Sequence, residues 1–283
     1  MKRLIVAFVS GSLKTGRSTI AANLANYLRK TTSVTLLDSD IEQVERAVLL
    51  PPEWSAGSEI TVLFPSHDLS KCQHCLQCTT ICEAGVFKDY KEKIILLPEL
   101  CNNCGKCLEY CKSQAVKFTE YTIGRIQEAK LDNLTVIEVR VNDEIVKASS
   151  LFYHTKDYLN PLDVILVDAA PLLSEYACCS TMGADYFVIV TGSGESHLAQ
   201  LKETIKVFKD YEKPYGVLVN LSDSEVSPTA EYCRENDIPL LGVLPLDEKL
   251  QTGKTPRDKL ADEPEWQKLF ESLWHRILEE IAQ

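Results

Sequence analysis

Positive charge is what this 283-residue chain most plainly lacks. Lys and Arg total 30 against 41 Asp and Glu, a formal net charge of −11. A general affinity for nucleic acid or an anionic membrane surface is therefore not expected, since both want a basic face. Long apolar runs are missing too, none approaching the ~20 residues of a membrane span. No secretory signal is read at the start, where Met1-Lys2-Arg3 leads directly into a short strand-like segment. These absences give the expectation of a cytoplasmic protein in a reducing compartment, where thiols stay free and a disulfide framework is disfavoured. With 45% hydrophobic and 25% charged residues, the composition is that of a globular chain with material for more than one domain.

Cysteine, by contrast, is abundant. Of the 11 cysteines, eight fall in two runs, Cys72-x-x-Cys75-x-x-Cys78-x-x-x-Cys82 and Cys101-x-x-Cys104-x-x-Cys107-x-x-x-Cys111, the second repeating the first at a constant offset. Three thiolates separated by two residues each can wrap one face of an iron–sulfur cube, and the fourth then points away. Structural zinc sites pair C-x-x-C knuckles across a longer loop and have no use for the third and fourth cysteines. The runs resemble a bacterial-type ferredoxin with two 4Fe-4S clusters. In that family the fourth cysteine of each run serves the other cluster. The resemblance thus implies one cluster on Cys72, Cys75, Cys78 and Cys111, and the other on Cys101, Cys104, Cys107 and Cys82. The family's proline after the fourth cysteine is missing here, replaced by Glu83 and Lys112, a departure that touches the turn and not the ligands.

Around this segment the pattern changes. Leu4-Ile5-Val6-Ala7-Phe8-Val9 is a continuous apolar run ending in Ser10-Gly11, and from Ser18 apolar residues recur at Ile20, Leu24, Tyr27 and Leu28. That reads as strand, glycine loop, helix. Further apolar runs lie at residues 34–37, 164–167, 186–190, 216–219 and 240–244, mostly β-branched or aromatic, with helical stretches between several of them. Such strands are buried on both faces, the signature of a mostly parallel sheet covered by helices.

Gly11-Ser12-Leu13-Lys14-Thr15-Gly16-Arg17-Ser18 fits the phosphate-binding pattern G-x-x-x-x-G-K-S/T except that Arg17 stands where lysine belongs. The loop's amides and the helix N-terminus can still cradle phosphate. Asp38-Ser39-Asp40 follows the second strand, Asp168-Ala169-Ala170-Pro171 ends an apolar strand, Asn220 closes another, and Pro245-Leu246-Asp247-Glu248-Lys249 lies near the end. With these features, and with Ile123-Gly124-Arg125-Ile126 after the cysteine segment, nearly the whole chain resembles the MinD/ParA group of P-loop ATPases. More narrowly it looks like the MinD-like ATPases that carry an inserted ferredoxin. The fold class implied is α/β, a mostly parallel P-loop sheet covered by helices, with a small α+β ferredoxin domain at 66–119 inserted in a nucleotide-binding domain of residues 1–65 and 120–283.

By the same resemblance, ATP or ADP with Mg2+ would be held by Gly11, Lys14, Gly16, Arg17, Ser18 and Thr19 of the loop, with Asp168 and Asn220 from later strands. Ser18 would coordinate Mg2+, Asp40 would position the attacking water, Asp38 and Asp168 would support the metal, and Asn220 would read adenine. Each aspartate alone could equally cap the next turn. The group's second lysine, which reaches across a dimer interface, is Ser12 here. Losing both lysines removes charge that would stabilise phosphoryl transfer, so slow or absent hydrolysis is expected.

Cys233 reads as a core residue in a helix. Cys178-Cys179 follow Asp168 near where the related nitrogenase iron protein holds a bridging cluster, although buried cysteines commonly serve as small hydrophobes. His67 and His74 read as loop residues beside the cysteines. The last helix begins at Asp262-Glu263-Pro264-Glu265 and carries Trp266, Leu269, Phe270, Leu273, Ile277, Leu278 and Ile281 on one face, which reads as packed on the sheet. Three function classes remain: a redox protein whose electron transfer is controlled by nucleotide state, a cluster carrier or assembly ATPase, and a non-hydrolysing subunit paired with an intact paralogue. The first and third combine best. The partners expected are a homodimer or a heterodimer with a similar paralogue and a redox protein, with no nucleic acid and no membrane.

Overall fold

The computed structural model describes residues 3–40, 53–91, 93–141, 148–161, 163–170, 175–222, 224, 226–247, 256 and 259–282. Pro171, Glu248 and Lys249, singled out above, lie outside the described residues. In chain order the elements are β1 (Leu4–Val9), α1 (Arg17–Leu28), β2 (Val34–Ser39), β3 (Ser58–His67), α2 (Gln77–Ile81), β4 (Phe87–Tyr90) and β5 (Lys93–Leu96). Then come α3 (Lys106–Tyr110), β6 (Val116–Leu131), β7 (Leu134–Val141), α4 (Ala148–Tyr153), β8 (Val164–Ala169), α5 (Glu175–Ser180) and β9 (Tyr186–Thr191). The chain closes with α6 (Glu195–Tyr211), β10 (Tyr215–Ser222), α7 (Pro228–Glu235), β11 (Leu240–Pro245) and α8 (Pro264–Ala282). Two compact units result, one of Met1–Gly57, Ile126–Arg140 and Thr155–Gln283, the other of Ser58–Arg125 and Val141–His154.

In the first unit the strands lie in the order β11-β10-β9-β1-β8-β2-β7-β6. The pairs from β11 through to β7 are all parallel. All six residues of β9 are buried, as are the last five of β1, which is why these strands read as unbroken apolar runs rather than alternating ones. Helix α1 buries Ile20, Leu24 and Leu28, and α8 buries Trp266, Phe270, Leu273 and Ile277 in the same core. Tyr27 and Trp266 flank the Phe270 ring at 6.3 and 5.7 Å. Leu278, expected on that face, is 39% exposed; it follows Ile277 by one residue and is thereby turned about 100° off the buried stripe.

The sheet resumes soon after the cysteines, in a strand that shows no apolar run. Strand β6 begins at Val116 and mixes buried, partly exposed and exposed positions along its length, so its apolar residues never form a run. Its residues to Arg125 belong to the second unit, where it lies beside β3. There the ends of the segment 66–119 meet: the Thr119 hydroxyl donates to Ser66 Oγ at 2.9 Å. Between them lie α2, α3 and the antiparallel pair β4–β5, with Phe87 opposite Leu96 and Tyr90 opposite Lys93.

The second unit's backbone repeats itself as its cysteines do. His74 and Asn103 are both left-handed, at φ 50° and 57°; so are Leu76 and Gly105, at 60° and 76°, and Gly85 and Gln114, at 71° and 53°. Each member of a pair holds the same place relative to its own cysteine run. Leu76 and Gly105 are the residues that open α2 and α3. Among the described residues no helix is long and apolar enough to cross a membrane.

Candidate functional site

Three adjacent strands of the first unit, β1, β8 and β2, bring their carboxyl ends together, with Phe8 and Asp38 both in register with Asp168. Ligands of open α/β sheets bind outside such ends. Here β1 runs out at Ser10, α1 opens after Gly16, Asp168 stands near the end of β8, and Asp40 follows β2. Gly16 is left-handed at φ 81°, and a Cβ there would meet Asn220 Nδ2 at 2.3 Å, so the position requires glycine. At Gly11 an added Cβ would meet Thr204 Oγ1 at 2.3 Å. The Asn220 side-chain amide donates to the Thr15 carbonyl at 2.8 Å, bracing the loop from the end of β10. Lys14 and Leu13 stay exposed at the loop's tip.

Arg17 turns inward. Only 3% exposed, its guanidinium donates from Nε to Asp168 Oδ1 at 2.7 Å and from Nη1 to Ser10 Oγ at 3.3 Å, and it pairs through Nη2 with Asp40. Burial alone would make this group easier to deprotonate, but the charges of Asp168 and Asp40 outweigh it and hold the proton more firmly than in water. Asp38 sits opposite Glu138 of β7. Burial first, then the charges of Asp168 and Glu138, push its carboxyl up to about 7, against the pull of Arg140 and a hydrogen bond from the Asp40 amide. Glu138 is itself held by Gln127, at 2.7 Å, and by Arg140. Ser18 and Thr19 follow Arg17 in the first turn of α1, both partly exposed.

Arg17, Asp38, Asp40, Asp168 and Asn220, the residues expected around the loop, lie together there. Ser10, Glu138 and Arg140 join them through strand register and carry no local signal in the sequence. The magnesium expected here meets a direct obstacle. Mg2+ asks for near-octahedral oxygens at about 2.0–2.1 Å, yet Asp40 and Asp168 already share one cation, the Arg17 guanidinium. With Arg17 in this position each carboxylate gives an oxygen to the guanidinium, and a magnesium ion would have to share the two acids with it.

In the second unit the eight cysteines sort into two cavities. Cys72, Cys75, Cys78 and Cys111 line one, beside His67 and Ile94. Cys82, Cys101, Cys104 and Cys107 line the other, beside Phe87 and Phe118. Each cavity therefore takes three thiols from one run and the fourth from the other. Backbone amides point at the sulfurs: His74 N–H donates to Cys72 Sγ at 3.4 Å, Asn103 N–H to Cys101 Sγ at 3.3 Å, and Val86 N–H to Cys82 Sγ at 3.4 Å. The left-handed residues His74 and Asn103 make the first two possible. Among the described residues, no three or more His, Cys, Asp or Glu are placed to hold a single metal ion. Burial pushes the Cys78 thiol up and that of Cys107 up to about 11, so these thiols stay protonated near neutrality unless a bound cation ionises them. At the two positions where the ferredoxin family carries proline, Glu83 pairs with Lys106 at 2.5 Å and Lys112 donates its amide to the Tyr110 carbonyl at 3.1 Å. Of the remaining cysteines, Cys233 is buried in α7, Cys178 is exposed on α5 and Cys179 is partly exposed beside it.

Comparison with known proteins agrees with the first unit's geometry. An uncharacterized protein of Methanocaldococcus jannaschii is 26% identical over 220 residues, 77% of this chain and 80% of that one. Among solved structures, a putative plasmid partition protein from Borrelia burgdorferi, bound to AMPPNP, superposes with a TM-score of 0.57 at 15% identity over 99% of each chain. The septum site-determining protein MinD of Pyrococcus horikoshii, complexed with Mg-ADP, gives 0.54 at 18% identity over 96% of this chain and 94% of that one. At such identities these likenesses speak for the fold alone. The family described as the CobQ/CobB/MinD/ParA nucleotide binding domain, however, matches residues 5–255, and this chain belongs to it.

Proposed function

We propose that this protein transfers electrons through two 4Fe-4S clusters carried on a MinD-like nucleotide-binding scaffold, with residues 66–119 a ferredoxin domain inserted between 1–65 and 120–283. The observation that carries the reading is the crosswise sorting of thiols, with Cys111 joining Cys72, Cys75 and Cys78, and Cys82 joining Cys101, Cys104 and Cys107. Four cysteines, three from one run and the fourth from the other, suit a four-iron cube, whereas structural zinc sites pair C-x-x-C knuckles across a longer loop. When bound, such clusters supply one-electron chemistry at potentials set by hydrogen bonds to sulfur, charge and exposure. The chain's own contribution is to aim the amides of His74, Asn103 and Val86 at sulfur and to keep Cys101 and Cys107 buried.

The loop of residues 11–18 holds a nucleotide's phosphates through backbone amides at the start of α1. Nucleotide state is coupled to redox or to docking of a partner, in a homodimer or with a paralogue. ATP turnover by the isolated chain is slow or absent, because positions 12 and 17 lack lysine and Arg17 is committed to the carboxylates.

Anaerobic purification with iron and acid-labile sulfide analysis tests the cluster reading. About eight of each per chain, the content of two cubes, with coupled electron paramagnetic resonance signals on reduction, is the expected result. Zinc without labile sulfide after anaerobic reconstitution would refute it.

A further inference from the structure

Arg17 departs from the phosphate-binding pattern, and its surroundings give that departure a consequence. The side chain is 3% exposed and tied at three points, to Asp168, Asp40 and Ser10. Those partners come from the ends of three neighbouring strands, β8, β2 and β1. Ser10 Oγ donates in turn to the Ser12 carbonyl at 2.9 Å, so the guanidinium is linked through one hydroxyl to the loop that would receive phosphate. Asn220 holds the same loop at Thr15 from the other side of the motif. The loop is braced and its acids are paired by contacts within the chain itself.

A divalent ion in a phosphate site joins carboxylates to phosphate oxygens and offsets their mutual repulsion. Here the carboxylates already have a cation, one that does not dissociate. Guanidinium is planar, always charged and rich in donors that match carboxylate and phosphate oxygens alike. Of its five N–H groups, three are used by Asp168, Ser10 and Asp40, which leaves two without a partner among the described residues. A lysine at this position could not do the same, since its compact ammonium cannot span two carboxylates with a fixed fork.

We infer that Arg17 is a built-in replacement for the divalent cation, so that this site takes the phosphates of a nucleoside di- or triphosphate without magnesium. The inference rests on the loop being a nucleotide site, as proposed above. Arg17 supplies the charge that joins Asp40 and Asp168 to the incoming phosphate, while the loop amides supply the remaining contacts.

The test is calorimetric titration of ADP into the intact, anaerobically purified protein, once with EDTA and once with millimolar magnesium. Saturable binding with EDTA, no tighter when magnesium is added, is the expected result. Tightening by magnesium of about tenfold or more would overturn the inference while leaving the nucleotide reading standing, because Arg17 would then be yielding the acids to the metal. Absence of binding in both conditions would overturn the two together. A second measurement uses the metal alone. In Arg17→Ala the two acids lose their cation, and magnesium without nucleotide is expected to raise the thermal midpoint of that variant and not of the wild type. Equal responses of the two proteins would count against Arg17 as the resident cation. Should the variant fail to fold, the wild-type titration decides by itself.

Discussion

At the scale of single residues, charge placement decides more than charge count. Arg17 preserves the positive charge of a phosphate-loop lysine, yet its fork is drawn to Asp40 and Asp168, because buried carboxylates without a partner are costly. Asp38 lies beside this arrangement and titrates differently. Burial, reinforced by the charges of Asp168 and Glu138, raises its carboxyl to about 7, so the folded protein binds that proton more tightly than the unfolded chain does. Its contribution to stability is therefore full below the ordinary carboxylate value near ~4. It declines as pH rises from there to about 7, by at most about 1.4 kcal/mol per pH unit. Asp38→Asn should remove this decline. Urea unfolding of both proteins across that range is the check, and parallel pH profiles would mean that Asp38 ionises normally in the fold.

Helices and strands show how far a local pattern carries. The α8 stripe of Trp266, Phe270, Leu273 and Ile277 is buried as helical spacing requires, with Phe270 fully enclosed between Tyr27 and Trp266. Phe270→Ala should cost about 3–5 kcal/mol in chemical denaturation, whereas Leu278→Ala, one residue off the stripe, should stay within about 0.5 kcal/mol. Similar losses at both positions would show that α8 packs differently on the sheet. The short helices α2 and α3 depend on something else. Each follows a left-handed residue, Leu76 and Gly105, and too few residues follow for a helix to persist without its neighbours. What holds them is the architecture of the cysteine segment.

For the molecule as a whole, the question is whether the cysteine segment is separable. Its ends are in contact through Ser66 and Thr119 at 2.9 Å, and inserted domains usually enter at closely spaced points. Replacing residues 66–119 by a short glycine-serine linker should leave a protein that unfolds cooperatively and carries no iron. Circular dichroism with thermal melting is the measurement. An aggregated product, or one without a cooperative transition, would show that the remainder needs the segment to fold.

The parallel strands and the cysteine repeat were legible in the amino-acid order alone. Both are local signals: a strand buried on two faces must be apolar at every position, and thiols that act together recur at short, regular spacing. The half-exposed strand β6 has no such signal, because Glu120, Arg125 and Lys130 interrupt its apolar residues. That Arg17 would pair with two of the acids expected around the loop has no signal in the sequence. Position 17 announces a departure from lysine, but Asp40 and Asp168 lie far along the chain from it and from each other, and only the register of β1, β8 and β2 brings them within reach of one guanidinium. In the same way the spacing of the cysteines determined how many thiols act together. Tertiary folding decided which cavity each one faces, because a fourth thiol contributed by the other run is a contact between segments that only the packed chain can make.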